Sequence, residues 1–171
     1  MNLNYKDLLP IDFSGNSRVW IYQSNRLLSL GEALEVEVTL KKFIANWLSH
    51  GIPVKGFATL LFGQFIILIA DEEATGVSGC STDSSVRLMK EFEKQFTINL
   101  FDRTSLAFIV KEKIQLLPLS QLQYALDNEF VSAQTLYFNN LVQTKKELEE
   151  NWLIPISDSW LMKKISANVN H

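Results

Sequence analysis

The sequence contains one cysteine, two histidines and no basic excess, and each scarcity excludes a class of function. A single cysteine, Cys80, forms no disulfide within the chain, and this composition suits a reducing cytoplasm. The two histidines, His50 and His171, lie far apart in the sequence, so no set of cysteine, histidine and carboxylate residues has the spacing of metal ligands. We therefore expect a cytoplasmic protein with no metal and no other cofactor.

Basic residues do not outnumber acidic ones. The chain has 16 lysines and arginines and 19 aspartates and glutamates, which gives a net charge of −3. Nucleic-acid binding draws much of its free energy from a basic surface that meets the phosphates. Because the chain has no basic excess, we expect no nucleic-acid partner.

No apolar run is long enough for a membrane helix. The longest, residues 57–70, has 14 residues and is interrupted by Gly63-Gln64, whereas a spanning helix needs about 20 residues. The first residues also lack the basic and apolar regions of a signal peptide. We expect no membrane association and interpret the run as two strands joined by a glycine turn.

Cap and turn residues divide the first two thirds of the chain into strands and helices. Ser29 and Glu32 match a capping box, and apolar residues follow at helical spacing until Gly51 and Pro53, which predicts a helix over residues 30–49. The other predicted elements are strands at 18–24, 54–62 and 64–71, a second helix that ends near 96, and strands at 106–110 and 114–118.

This order of strand, helix, strand, strand, helix and strand predicts an α+β fold of the ferredoxin-like βαββαβ type, an antiparallel sheet with two helices on one face. A different α+β meander is the alternative. We expect a single domain over residues 1–171, with a core at about 17–117 and a C-terminal, α-rich extension at about 118–171 packed on it.

The extension has a looser pattern than the core. Residues 119–128 and 158–165 favour helices, and a short strand is expected within 135–142. Thr144 and Glu147 match a second capping box.

Both faces of the predicted sheet are apolar. In the first strand Val19 and Ile21 alternate with Trp20 and Tyr22, whereas a half-solvated antiparallel sheet alternates apolar with polar residues. The two helices cover one face, so the second face needs another cover. The C-terminal fifty residues, a second copy of the chain in a homodimer and a protein partner are the alternatives.

Several segments, matched in order over nearly the whole chain, resemble a family of short bacterial proteins often labelled "ABC transporter ATPase". The matching segments are SRVWIYQSNR, FIILIADE, SGCSTDSSV, LFDR, FNNLV and DSW. The resemblance implies no catalytic residue, ligand or activity, because none is established for the family.

The ATPase label conflicts with the residues. An ATPase of this class needs a glycine-rich loop with a lysine and a serine or threonine, because its backbone N–H groups and the lysine hold the phosphates. No such motif occurs in the sequence. We therefore expect no ABC-type ATPase activity.

The segment SGCSTDSSV, residues 78–86, is the main candidate for a site. We expect Ser81 or Thr82 to cap the second helix, whose dipole favours an anion. Together with Arg18, the residues from Cys80 to Asp83 then form an anion-compatible helix start that binds a small anionic ligand.

A catalytic role for the same segment is the alternative hypothesis. The predicted topology brings His50, Asp71 and Glu72 to the same edge of the sheet as Cys80. An imidazole near a thiol at a helix start favours a reactive thiolate, with Asp71 as the orienting group. A tight strand-to-helix turn with a small buried cysteine explains the same residues without any chemistry.

The sequence thus favours a non-enzymatic module that binds a ligand or a protein. The alternative is a small cysteine-dependent enzyme or thiol sensor that uses Cys80 and His50. The two differ in whether Cys80 is exposed and activated or buried and inert.

Overall fold

The structure is a computed structural model that describes residues 1–73, 76, 77 and 79–168, with the backbone alone for Cys80 and residues 166–168. His171, considered above as a metal ligand, lies outside the described residues.

Contacts divide the chain into two compact units. The first unit contains residues 4–102 and 143–149, and the second contains 1–3, 103–142 and the residues from 150 onward. Residues 103–117, which we expected in the core, therefore belong with the C-terminal residues. That the chain forms one domain stays a prediction.

The first unit is a mixed α+β structure. Its elements are β1 (Arg18–Gln23), α1 (Leu30–Ala45), β2 (Leu48–Ser49), β3 (Ile52–Pro53), β4 (Gly56–Leu61), β5 (Phe65–Ala70) and α2 (Gly79–Phe96).

The main sheet of the first unit has the strand order β1-β5-β4, with both pairs antiparallel. Tyr22 and Leu68 contribute to a core cluster that also contains Leu40 of α1 and Phe92 of α2. Both helices therefore pack on one face of the sheet, as the sequence predicted. We call the end at which β1 and α2 begin, and α1 and β5 end, the lower end of this unit.

The start of α1 forms as predicted. The Ser29 side chain accepts from the Glu32 backbone N–H, and the Glu32 carboxylate accepts from the Ser29 N–H. The Arg26 guanidinium donates to both carboxylate oxygens of Glu32, at 2.7 and 2.8 Å, and to the Phe96 carbonyl. This network ties the first residues of α1 to the last residue of α2.

The end of α1 differs from the prediction. The helix ends at Ala45 rather than at residue 49, and Leu48–Ser49 pairs with Ile52–Pro53 as a short hairpin. Asn46 leaves the helical conformation, with φ and ψ of −118° and 9°, and its side-chain amide donates to the Lys42 carbonyl at 2.8 Å, which satisfies a carbonyl at the helix end. Trp47, which follows, is 2% exposed.

The turn between β4 and β5 is centred one residue earlier than predicted. Phe62 and Gly63, rather than Gly63 and Gln64, occupy the two positions with positive φ, at 54° and 63°. Positive φ at both central residues matches the twist of a two-residue hairpin turn. All six residues of β5 are buried.

The second unit contains β6 (Ser105–Val110), β7 (Lys113–Pro118), α3 (Leu122–Asp127), β8 (Leu136–Phe138), β9 (Leu153–Pro155) and α5 (Leu161–Asn168). The short helix α4 (Lys145–Asn151) begins in the first unit and ends in the second. The strands of the second unit form an antiparallel sheet in the order β7-β6-β8-β9. The predicted strands at 106–110 and 114–118, the helix within 119–128 and the strand within 135–142 are confirmed.

The complete ferredoxin-like sheet is not confirmed. Three of its strands and both of its helices are present, but the fourth expected strand, β6, pairs with β7 and β8 in the other sheet. Beside β1 the pairing comes instead from the segment before α4. The Val19 N–H donates to the Gln143 carbonyl at 2.9 Å, and Arg18 pairs with Thr144.

The second face of the main sheet is buried. Its residues Val19, Ile21, Phe65, Ile67 and Ile69 are each at most 5% exposed. Within the first unit, the Tyr5 ring lies 6.3 Å from Phe62, whose ring is 6.5 Å from Phe65. The residues before β1 thus supply part of the cover. That the C-terminal fifty residues supply more stays a prediction.

None of the described helices combines the length and the apolar character needed to cross a membrane.

The Arg26–Glu32 pair makes a testable contribution to stability. Chiefly through its hydrogen bond, Arg26 lowers the pKa of Glu32 from 4.5 to about 2. A lowered pKa in the folded state stabilises the fold above pH 4.5, and the gain is lost as the pH falls towards 2. Glu32→Gln keeps an acceptor for the capping box but removes this charge.

We expect wild type to unfold at a higher urea concentration than Glu32→Gln at about pH 6, with the difference vanishing as the pH falls towards 2. Glu150→Gln, which alters an exposed glutamate outside the network, is the matched control. A difference between wild type and Glu32→Gln that stays constant with pH would contradict the ion-pair account.

Candidate functional site

The predicted anion site lies at the first turn of α2. The helix begins at Gly79, so Ser81 and Thr82 lie inside the first turn and the prediction that one of them caps the helix is wrong. Ser81 is completely buried, Thr82 is half-buried and Asp83 is exposed. The Cys80 side chain lies outside the described part of the structure.

The Arg18 side chain contacts Glu72 and Trp20. Its guanidinium lies 3.9 Å from the Glu72 carboxylate and 4.9 Å from the centre of the Trp20 ring. The structure therefore brings Arg18 and Glu72 together at the lower end, as the topology predicted. The anion site itself stays a prediction. Ser81, whose backbone N–H would be one of the donors to the anion, is buried away from solvent.

His50 lies at the tip of the β2–β3 hairpin rather than at a helix C-terminus. His50 and Gly51 form the turn with φ angles of 51° and 81°, and the His50 side chain is exposed. The Ser49 hydroxyl donates to the Gly76 carbonyl at 2.8 Å, which fixes the hairpin beside the segment that precedes α2. The β2–β3 turn therefore sets the position of His50.

Asp71 is held by a lysine that the sequence analysis did not identify. The Lys55 ammonium lies 2.9 Å from the buried Asp71 carboxylate and, through its hydrogen bond, lowers the pKa of that carboxyl group. Lys55 also donates to the Asp12 carbonyl at 2.9 Å and lies 4.7 Å from the centre of the Phe13 ring. Asp71 therefore anchors the N-terminal segment to the sheet and is committed to Lys55 rather than to His50.

A groove of about 370 Å³ lies at the lower end between the last turn of α1 and the second and third turns of α2. Its apolar surface comes from aromatic and aliphatic side chains, and its polar surface carries one cation, one anion, one amide and one hydroxyl. The lining residues are Phe43, Asn46, Trp47, Leu48, Ser84, Arg87, Leu88 and Glu91.

Trp47 builds the floor of this groove. Its ring packs 5.2 Å from Phe43 and 6.2 Å from Trp20, and its indole N–H donates to the Ser81 carbonyl at 3.0 Å. That hydrogen bond fixes the distance between the end of α1 and the start of α2. Gly56 of β4 lies directly against the indole, where a Cβ atom would come within 2.7 Å of Cε3.

The polar edge of the groove follows from helical spacing. Arg87 and Glu91 are four residues apart on α2, so their side chains lie on one face of the helix. Leu48 adds an apolar side chain that is 49% exposed. Phe43 and Trp47 are among the apolar residues at helical spacing that predicted α1. Neither that pattern nor the spacing of Arg87 and Glu91 distinguishes a groove from an ordinary packed or solvated helix face.

The hydroxyl group in the groove is bonded to its own helix. The Ser84 hydroxyl donates to the Ser81 carbonyl at 2.7 Å, so it is not paired with a base that would activate it. The described residues also contain no cluster of three side chains with metal-ligand chemistry.

Comparison of the chain with protein-family models, with curated proteins and with solved structures gives no match. The resemblance to the bacterial family therefore stays a prediction.

The close contact between Gly56 and the Trp47 indole gives a testable prediction, for which a glycine in α1 supplies the control. Gly56→Ala places a methyl group against the indole, so we expect a loss of about 1–3 kcal/mol in the free energy of unfolding. Gly31→Ala, in α1, meets no atom within 4 Å and should instead stabilise the protein by about 0.4–1 kcal/mol. Urea unfolding of both variants measures the two effects. An equal change in the free energy of unfolding in the two variants would show that Trp47 does not pack tightly against β4.

The catalytic reading of Cys80 has a direct test. Because Asp71 is bound to Lys55, we expect His50→Ala to leave the rate of Cys80 alkylation by iodoacetamide unchanged from about pH 5 to 9. Rapid labelling near pH 6 that slows in His50→Ala would instead establish an activated thiol. Labelling that begins only on unfolding would identify a buried structural cysteine.

Proposed function

We propose that the protein is a non-enzymatic interaction module whose α1–α2 groove receives an apolar side chain from a peptide segment of a protein partner. The observation that supports the proposal is the groove itself, in which the half-buried Phe43 and the exposed Leu48 lie beside the buried Trp47 indole.

The size of the groove limits what it receives. At about 370 Å³ it lies at the lower end of the range of ligand pockets, which is roughly 300–1,000 Å³. A space of this size holds one or two side chains. Aromatic and aliphatic anchors that fill such pockets contribute a large share of the binding energy at protein interfaces.

The polar edge favours a peptide over a phosphate-bearing ligand. Arg87 supplies donors, Glu91 supplies acceptors, and the Asn46 amide supplies both, which matches the alternating N–H and C=O groups of a backbone. A phosphate would require several cations around one point, whereas Arg87 and Glu91 balance each other in charge.

The alternative function, a cysteine-dependent enzyme or thiol sensor, has weaker support. Its orienting carboxylate, Asp71, is bound to Lys55 at 2.9 Å, and His50 lies on an exposed hairpin tip. The anionic-ligand reading of the first turn of α2 is weakened in the same way by the burial of Ser81.

Selection from a displayed library of random heptapeptides tests the proposal without a known partner. We expect enriched peptides to share one aromatic or aliphatic residue and to compete with one another. Their affinity, measured by fluorescence anisotropy, should fall about tenfold or more in Arg87→Glu and in Leu48→Asp, as expected for contacts at a binding pocket.

Lys90→Glu is the matched control, because Lys90 is an exposed residue of α2 outside the groove. It changes the charge as Arg87→Glu does and should leave the affinity unchanged. Failure to enrich any peptide, or an equal loss in all three variants, would contradict the proposal.

A further inference from the structure

Helix α1 carries a second apolar surface, on the side away from its core. Leu30, Leu34 and Val38 are 78%, 59% and 52% exposed. Their spacing of four residues places them in one row along the helix. Val36 and Leu40, which point to the sheet, are completely buried. We call the row of Leu30, Leu34 and Val38 the α1 stripe.

The α1 stripe lies beside an open sheet edge. In the main sheet β4 is an outer strand, and in the described part of the chain no further strand pairs with it. Glu37 connects the two features, because it adjoins Val38 in α1 while its carboxylate accepts from the Leu60 N–H at 2.7 Å and from the Thr59 hydroxyl at 3.2 Å. The carboxylate therefore occupies the position that a carbonyl of a neighbouring strand would take.

The charge beside the α1 stripe is self-complementary. Glu37 and Lys41 adjoin the stripe at helical spacing, whereas Glu32 is bound to Arg26 and Glu35 to Gln95 of α2. Two copies of α1 that run antiparallel bring Glu37 of each towards Lys41 of the other. A β4 strand paired antiparallel with its own copy requires the same two-fold axis, perpendicular to the sheet.

The two elements also match in length. A strand of six residues extends about 20 Å, and a helix of 16 residues extends about 24 Å. A two-fold contact along both elements joins two three-stranded sheets into one of six strands.

We propose that this surface binds a second copy of the chain, with β4 paired to β4 and α1 packed on α1 through the α1 stripe. Glu37 regulates the contact. In the single chain it satisfies the Leu60 N–H, and in the dimer it releases that group to a carbonyl of the second β4. The contact lies on the opposite side of α1 from the α1–α2 groove and does not depend on the groove's function.

Sedimentation velocity over a range of protein concentrations tests the proposal. Wild type should show a monomer–dimer equilibrium, and Leu34→Lys should raise the dissociation constant about tenfold or more, because it places a charge in an apolar contact. Glu37→Ala should lower the dissociation constant, because the Leu60 N–H then lacks its internal acceptor.

Ile11→Lys is the matched control, since Ile11 is 97% exposed and lies outside the α1 stripe, so it should dimerise as wild type does. Circular dichroism confirms that each variant is folded. Wild type and Glu37→Ala that both stay monomeric at every concentration would overturn the proposal. A dimer that Leu34→Lys leaves unchanged would overturn it as well, because another surface would then form the contact.

Discussion

The burial of the Trp47 indole is the constraint on which the lower end of the first unit depends. The ring turns inward two residues after α1 ends at Ala45, directly before the short hairpin that carries His50. Because the ring lies against β4, residue 56 is a glycine. Because the indole N–H donates to the Ser81 carbonyl, α2 starts at a fixed distance from α1. A buried indole needs a partner for its N–H, so packing and hydrogen bonding select the same position.

The opposite end of the helix pair is fixed by charge rather than by packing. Arg26 links the first turn of α1, through Glu32, to the Phe96 carbonyl at the end of α2. The two helices are therefore linked at both ends, by the buried hydrogen bond of Trp47 at one end and by the half-exposed hydrogen bonds of Arg26 at the other. Between them, at the lower end, the side chains of Phe43 and Leu88 do not fill the space, and the groove results. A site between two fixed elements is preformed, which reduces the entropy cost of binding.

Local signals in the sequence predicted the elements well, and non-local pairing accounts for most of the differences. The capping boxes at Ser29 and Thr144 are confirmed because they depend on residues three apart. The expected place of β6 in the main sheet is not confirmed, because strand pairing depends on residues far apart in sequence and Gln143 pairs with the β1 backbone instead. The candidate site also depends on contacts between residues that are far apart in sequence. The commitment of Asp71 to Lys55 follows from strand register, and the groove follows from the distance between helices.

Hydrogen exchange of the Trp47 indole N–H, followed by NMR, tests the central claim most directly. The account predicts slow exchange in wild type, because the bond to the Ser81 carbonyl is buried, and faster exchange in Gly56→Ala, whose added methyl group displaces the ring. Gly31→Ala should exchange as wild type does. Exchange in wild type at the rate of a solvent-exposed indole would show that Trp47 does not join α1 to α2, and the groove would lose its floor.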